Sequence, residues 1–356
     1  MDRITYRDQT DTENIIKLRE VLKTLPPFAK DYFRAIYATT TTKTRISYAY
    51  DIRIFFQFLI QENPAYHNYT PSDFTIDVLD QIQALDIEEY MEYLKVYKDQ
   101  GDSYVTNGER GLKRKISALR SFYAYYYKHE MIKTNPTVLI DMPKIHDKAI
   151  IRLDTDEVAM LLDYVEHCGD LLTGQKKAYY EKTKERDLAL ITLLLGTGIR
   201  VSECVGLDVD DIDFKNSCIK VIRKGNKEDS VFFPDSVGEL LDDYLDYRYT
   251  LSPMDKDNKA LFLSTRNTRL GVRSVEMLVK KYAKASVPLK NIHCHSTRSS
   301  FAMEFLKNSN GDIEGLQSAL GHNNIATTQF YARSTQDMKK SKKEMVTFDN
   351  SKKGSE

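Results

Sequence analysis

The sequence predicts a mainly α protein built as two helical domains joined by a short linker, the second carrying a small β-hairpin. Three observations carry this expectation. A chain of 356 residues with 41% hydrophobic content exceeds the length at which a single core stops growing. Apolar side chains recur at helical spacing through most of it. One stretch, Asp211 to Pro234, changes instead to an alternating pattern with a glycine turn at its middle.

Taken in order, Asp11 to Leu25 places Ile15, Leu18, Leu22 and Leu25 on one stripe. Pro26-Pro27 ends it, because a ring-locked φ and a missing N–H stop a helix. A short second helix follows through Ile36. From Lys43 to Gln61, Tyr48, Ile52, Phe55, Phe56 and Leu59 repeat as an amphipathic helix. Asp86 with Glu89 resembles a capping box opening a helix whose stripe is Ile87, Tyr90, Met91 and Leu94. Another helix spans Thr106 to Lys128, with Leu112, Ile116, Leu119, Tyr123 and Tyr126 on one face. Its other face carries Arg110, Arg114, Ser117 and Ser121, flanked by Lys113 and Arg120.

Asn135-Pro136 closes this bundle, and the aperiodic stretch that follows is a linker. Asp154, with Glu157 three residues on, caps a helix whose buried stripe is Val158, Leu161, Leu162 and Val165. Leu188 to Leu195 is apolar almost all round, which fits a central helix or a buried strand. Ile219, Val221, Val231 and Phe233 flank the turn Lys224-Gly225-Asn226-Lys227, a hairpin with a basic tip. Helical signals return at Val272 and run to the end, where Lys339, Lys340, Lys342 and Lys343 cluster. The resulting division is a helical extension over 1–42, a bundle over 43–142, a linker over 143–152, a second domain over 153–334 and a tail over 335–356.

Lys+Arg and Asp+Glu each total 52, so net charge says nothing about a polyanionic partner. Its distribution says more. Six acids and no bases lie between Pro71 and Tyr90, whereas Lys113, Arg114, Lys115 and Arg120 fall together without an acid among them. By itself such a cluster reads as a solvated helix face. No stretch approaches the roughly 18 apolar residues of a membrane span, so no membrane association is expected. The start Met1-Asp2-Arg3 lacks a basic-then-apolar signal, and Cys168, Cys204, Cys218 and Cys294 are not paired in spacing. Both features fit a reducing cytoplasm. His293-Cys294-His295 has no second ligand pair, so no metal is expected.

Four separated pieces carry chemistry together. Gly196-Thr197-Gly198-Ile199-Arg200-Val201-Ser202-Glu203 sets Arg200 at a helix start after a glycine turn. Lys224 lies on the hairpin. His295 and Arg298, three residues apart, share a helix face. Leu320-Gly321-His322 is followed nine residues after the histidine by Tyr331. Each residue alone is ordinary: Tyr331 is one of 23 tyrosines, and Arg200 alone reads as a surface ion pair with Glu203.

In combination they resemble the tyrosine recombinase family, also called phage-type integrases. That family's Thr-Gly-Leu/Ile-Arg-x-Ser-Glu motif falls on Thr197 to Glu203, and its Lys-Gly-x-Lys turn on Lys224 to Lys227. His-x-x-Arg falls on His295 and Arg298, and Leu-Gly-His…Thr-Thr-x-x-Tyr on Leu320, Gly321, His322, Thr327, Thr328 and Tyr331. The resemblance implies a SAM-like core-binding domain over 43–142 that clamps DNA and a mostly helical catalytic domain over 153–334. It further implies catalytic residues Arg200, Lys224, His295, Arg298, His322 and the nucleophile Tyr331, with neither metal nor cofactor. Implied partners are double-stranded DNA bearing a palindromic-like recombination site and three further copies, a homotetramer on paired sites, in a cytoplasmic, nucleoid-associated setting. The tail would dock on a neighbouring protomer. With that reading the basic cluster becomes a candidate DNA face comprising Arg110, Lys113, Arg114, Arg120 and, from the hairpin, Lys227. Length, the helices before Lys43 and Lys184-Glu185-Arg186-Asp187 most resemble Xer recombinases of the XerS type, which act in chromosome-dimer resolution. Ser299-Ser300 departs from the His-Thr common after the second arginine. A mobile-element integrase or DNA invertase, a type IB topoisomerase and a catalytically inactive DNA-binding protein are the alternatives.

The residue types suit the chemistry. Charge grows on the two non-bridging oxygens of a phosphodiester in the five-coordinate transition state, and always-ionised planar donors such as Arg200 and Arg298 match it. Tyr331 can attack in line, leaving a 3′-phosphotyrosyl bond and a free 5′ hydroxyl. One phosphoester replaces another, so no ATP is needed. Lys224 can protonate the leaving oxygen. His295 and His322 can bond the phosphate or move the tyrosine proton.

Overall fold

The computed structural model describes residues 6–98, 103–146, 149–223, 227–251, 258–322, 328, 329 and 331. It divides into two compact units, Met1–Asp147 and Lys148–Glu356. The tail over 335–356 lies outside the described residues.

In the first unit, α1 (Tyr6–Leu22) and α2 (Ala29–Ala35) flank the proline pair. α3 (Thr42–Glu62) starts where the Thr41 hydroxyl accepts the Thr44 N–H at 3.2 Å. Leu18, Val21, Tyr32 and Phe33 belong to the same buried cluster as Phe55, Phe56, Ile116 and Phe122, so the N-terminal helices complete the bundle's core. Its aromatic centre is packed edge to face, with Phe56–Phe122 centroids 6.3 Å apart at 82° and Phe122–Tyr126 at 5.0 Å and 76°. Two of the buried phenols are satisfied, Tyr126 donating to the Phe28 carbonyl at 2.8 Å and Tyr32 to Ser121 at 2.8 Å, whereas the buried Tyr123 hydroxyl has no hydrogen-bond partner among the described residues.

Two local expectations need correction here. After α4 (Val78–Gln81), α5 (Ala84–Tyr93) opens with Gln83 as its N-cap, and the Asp86 carboxylate reaches back to accept the Gln83 N–H at 2.7 Å. Asp86 is therefore the third-position member of the capping box and not its first residue. In an acidic run the three-residue carboxylate spacing occurs more than once, and only the backbone dihedrals select among the frames. The helix expected from Thr106 starts later, as α6 (Glu109–Lys128), because Tyr104–Thr106 forms β2 and pairs antiparallel with β1 (Val96–Lys98).

The second unit is organised around one buried helix. α7 (Thr155–His167) begins at the Asp154/Glu157 capping box, where the Asp154 N–H meets Glu157 at 2.7 Å. α8 (Gly174–Glu181) leads to α9 (Lys184–Thr197), whose Leu188, Ala189, Leu190, Ile191, Leu193 and Leu194 are all buried. α9 packs against α7, α11 (Asp235–Leu251) and α13 (Cys294–Asn308). α10 (Val201–Gly206) follows the glycine turn. β3 (Ile212–Asp213), β4 (Cys218–Arg223) and β5 (Lys227–Phe232) form an antiparallel sheet in that order, with Ile219 opposite Val231 and Val221 opposite Asp229. α12 (Val272–Ser286) and α14 (Ile313–Leu320) complete the set.

The residue pattern predicts no helix between Pro234 and Val272, yet α11 has 17 residues. Its stripe Val237, Leu241, Tyr244 and Leu245 has helical spacing and is buried. Five carboxylates set among these positions, Asp235, Glu239, Asp242, Asp243 and Asp246, dilute the periodicity, and none of them lies on the buried face. No helix among the described residues is long and apolar enough to cross a membrane.

Candidate active site

Arg200 owes its place to Gly198, which ends α9 in the left-handed region at φ 61°. A side chain there would be strained, and its Cβ would lie 2.4 Å from the Phe301 ring. Arg200 becomes the N-cap of α10, with its backbone N–H on one Glu203 carboxylate oxygen at 2.8 Å and its Nη1 on the other at 2.7 Å. The Arg200 side chain stays 38% exposed while Glu203 is 6% exposed, so a buried carboxylate presents an accessible guanidinium.

Arg298 holds three motif pieces together from α13. Its Nη1 donates to the Gly198 carbonyl, and its Nη2 donates to the Leu320 carbonyl at 2.7 Å and faces His322 Nε2 at 2.9 Å. Burial, then the charge of Arg200, lowers its pKa to about 10, which leaves it protonated at neutral pH. His322 follows Gly321, the left-handed C-cap of α14 at φ 59°. Its Nδ1 lies 2.9 Å from the Thr328 hydroxyl. Burial first, then Arg298, Arg200, Arg223 and His295, pushes the histidine down to about 4. Tyr331 is 5% exposed in the cluster with Ala302, Leu306, Leu316 and Leu320, and its ring runs parallel to that of His322 at 6.4 Å.

The structure thus brings Arg200, Arg298, His322 and Tyr331 into one locality. His295 stands exposed in the first turn of α13, three residues from Arg298. Lys224 and Thr327 lie outside the described residues. Lys227 is exposed at the first position of β5, directly opposite Arg223. Sequence reasoning missed Arg223 itself. It is 7% exposed and bonds Glu203 at 3.2 Å, Asp229 at 3.0 Å, and the carbonyls of Ala319 at 3.1 Å and Leu320 at 3.3 Å. Its only signal in the sequence is a position next to Lys224. Among the described residues no group of three His, Cys, Asp or Glu side chains could hold a metal ion.

The basic face of α6 is smaller than its sequence implies. Arg120 donates through Nε to the Thr137 carbonyl at 3.0 Å and through Nη2 to the Ile140 carbonyl, so its guanidinium brackets the end of the first unit. This corrects its reading as an outward phosphate contact: carbonyls of a segment that folds back onto α6 need a donor, and Arg120 is within reach. Arg114 pairs with Asp51, a carboxylate 1% exposed, while half of its own side chain remains in solvent. Lys115 is buried and donates to Asn107 at 3.1 Å. Arg110 is exposed and Lys113 half-buried, with no side-chain bond among the described residues.

Residues 152–338 match the phage integrase family. The chain is 35% identical over 331 residues to the tyrosine recombinase XerC of Caldanaerobacter subterraneus subsp. tengcongensis, covering 89% of this chain and 85% of that one. It is 31% identical over 297 residues to XerC of Pediococcus pentosaceus, covering 83% and 88%. In fold it is similar to the XerH site-specific recombinase bound to palindromic difH substrate, with a TM-score of 0.62 at 21% identity over 85% of this chain and 80% of that one.

Proposed function

Since this chain belongs to the phage integrase family of tyrosine recombinases, enzymes of site-specific DNA recombination, we propose that it acts on a palindromic-like chromosomal site in the manner of Xer proteins, resolving chromosome dimers. The observation that carries the chemical part is the Arg298 guanidinium joining the Gly198 carbonyl, the Leu320 carbonyl and His322 beside the buried Tyr331. Arg200 and Arg298 bind the non-bridging oxygens of the scissile phosphate and stabilise the charge that grows there. Tyr331 attacks phosphorus, the phosphorus–O5′ bond breaks, and the 3′ end is held as a phosphotyrosyl ester. Lys224 gives the leaving O5′ its proton. Strand exchange is attack by a 5′ hydroxyl from the partner duplex, which regenerates Tyr331.

The Xer-like assignment is supported by the XerC relatives at 31–35% identity over more than four-fifths of the chain; the finer reading, a single recombinase type assembled as four copies on two sites as in the XerS type, rests on the sequence resemblance and the helices before Lys43. The double-stranded DNA partner is supported by the difH-bound XerH neighbour, by the exposed Arg110 and Lys227 and by the half-buried Lys113.

Capture of protein-linked DNA from cells, followed by sequencing, tests this reading. The expected result is one recurrent chromosomal site with inverted halves, attached at its 3′ phosphate. Adducts at the ends of a mobile element would move the function to integration, adducts at an invertible segment to inversion, and relaxation of supercoils without a preferred sequence to topoisomerase activity.

A further inference from the structure

Arg223 is a third guanidinium in the neighbourhood of Arg200 and Arg298, buried as Arg298 is, and the chemistry above gives it no role. It is the last residue of β4, and its bonds to Glu203, Asp229, Ala319 and Leu320 reach three separate places in the chain. On one side Nη1 meets Glu203 Oε2, the oxygen that also accepts the Arg200 backbone N–H. On another, Nη1 and Nη2 take the carbonyls of Leu320 and Ala319, at the end of α14. The Leu320 carbonyl is the same one that Arg298 Nη2 takes at 2.7 Å. Nε meets Asp229 across the hairpin.

The guanidinium also fills the space under Gly321. A Cβ at that position would lie 2.7 Å from Arg223 Nε and 2.9 Å from Cζ. The backbone turn that delivers His322 therefore rests on Arg223, and only glycine permits so close an approach at φ 59°.

We propose that Arg223 is a positioning residue for the recombination chemistry, a buried brace that holds Glu203 and the Leu320–Gly321 turn in register and so aims Arg200 and Arg298 at one phosphate. Arg223 does not touch substrate. Its work is done through Glu203, whose Oε1 takes Arg200 Nη1 while Oε2 takes both Arg223 Nη1 and the Arg200 backbone N–H, and through the Leu320 carbonyl shared with Arg298. Glutamine at this position cannot span these partners: it has one N–H₂ group where the guanidinium uses Nε, Nη1 and Nη2. Lysine keeps the charge but, as a point donor, cannot bridge the carboxylate and the carbonyls in one plane. The inference rests on the recombinase reading of the same site.

The test is single-turnover formation of the covalent adduct on a nicked synthetic copy of the site recovered by capture, with DNA affinity and thermal melting measured in parallel. Arg223→Gln is expected to slow adduct formation by about a hundredfold, the scale of a misplacement near 1 Å, with DNA affinity unchanged. In an Arg200→Ala background the same substitution should cost clearly less than it does alone, because the part of its effect that passes through Arg200 is already lost. Asp229→Asn, which removes the partly exposed anchor alone, should change the rate by no more than about fivefold. Wild-type cleavage by Arg223→Gln, or a loss that multiplies fully with that of Arg200→Ala, overturns the proposal. If Arg223→Gln melts below the assay temperature, Arg223→Lys replaces it under the same two criteria. Failure of the wild-type protein to form any adduct rejects the recombinase reading itself.

Discussion

Nη2 of Arg298 lies 2.9 Å from Nε2 of His322, and that single contact determines which nitrogen of the histidine carries its proton. A guanidinium can only donate. His322 Nε2 must therefore be the unprotonated, accepting nitrogen, and Nδ1 is the N–H that donates to the Thr328 hydroxyl at 2.9 Å. Burial first, and then this contact, keep the ring neutral, since a protonated Nε2 would face a cation directly.

Lowering pH should consequently cost this protein stability through His322. Its folded value, about 4, lies below the ordinary 6.5. Between those two values the unfolded chain binds the proton that the folded chain refuses, so stability rises with pH through that window. The contribution is fully present above 6.5, is lost as pH falls towards 4, and changes no further below it. Melting of wild type and His322→Gln from pH 4 to 7 checks this: the wild type should lose ground relative to the variant on acidification. Parallel pH profiles would remove His322 as the cause.

Tyr331→Phe should abolish the covalent adduct and leave DNA affinity within about twofold, because the ring and its packing are kept. A denaturing gel with a nicked site reads both the adduct and its absence. An adduct that persists in the variant would place the nucleophile elsewhere.

Lys224→Ala should cleave ordinary DNA about 10² to 10⁴-fold more slowly and recover on DNA with sulfur at the 5′-bridging position, since a thiolate leaves without a proton. Lys227→Ala serves as the control and should show no selective recovery. Equal impairment of Lys224→Ala on both substrates would make the lysine a phosphate anchor.

Gly198→Ala should destabilise the second unit by about 2 to 4 kcal/mol, from left-handed strain together with overpacking against Phe301. Gly174→Ala, at φ 57° with nothing near its Cβ, isolates the strain and should cost about 1 kcal/mol. Chemical denaturation of the two variants gives the difference, and equal costs would show that Phe301 yields freely.

Lys113 and Arg120 should separate binding from folding. Lys113→Ala is expected to weaken DNA binding on all sequences and lower the salt slope by about 1. Arg120→Ala should instead lower stability by about 1 to 3 kcal/mol as two carbonyls lose their donor. A salt-slope change with Arg120→Ala and none in melting would return that residue to the DNA face.

The sequence by itself determined helical punctuation whose signal is local, the Pro26-Pro27 stop and the Asp154/Glu157 cap, and it left the apolar run Leu188 to Leu195 open between helix and strand until the fold made it α9. It determined the candidate chemistry as well, because a glycine turn before Arg200 and fixed spacings from His295 to Arg298 and from His322 to Tyr331 are short-range patterns. What only the tertiary structure decided depends on atoms brought together from far apart in the chain. Arg223 meets carbonyls 96 and 97 residues away, and Arg120 is drawn to the carbonyls of a segment that folds back over α6. A side chain's charge is written in its name, but whether it faces solvent, a phosphate or a backbone carbonyl is set by which partner the fold leaves unsatisfied beside it.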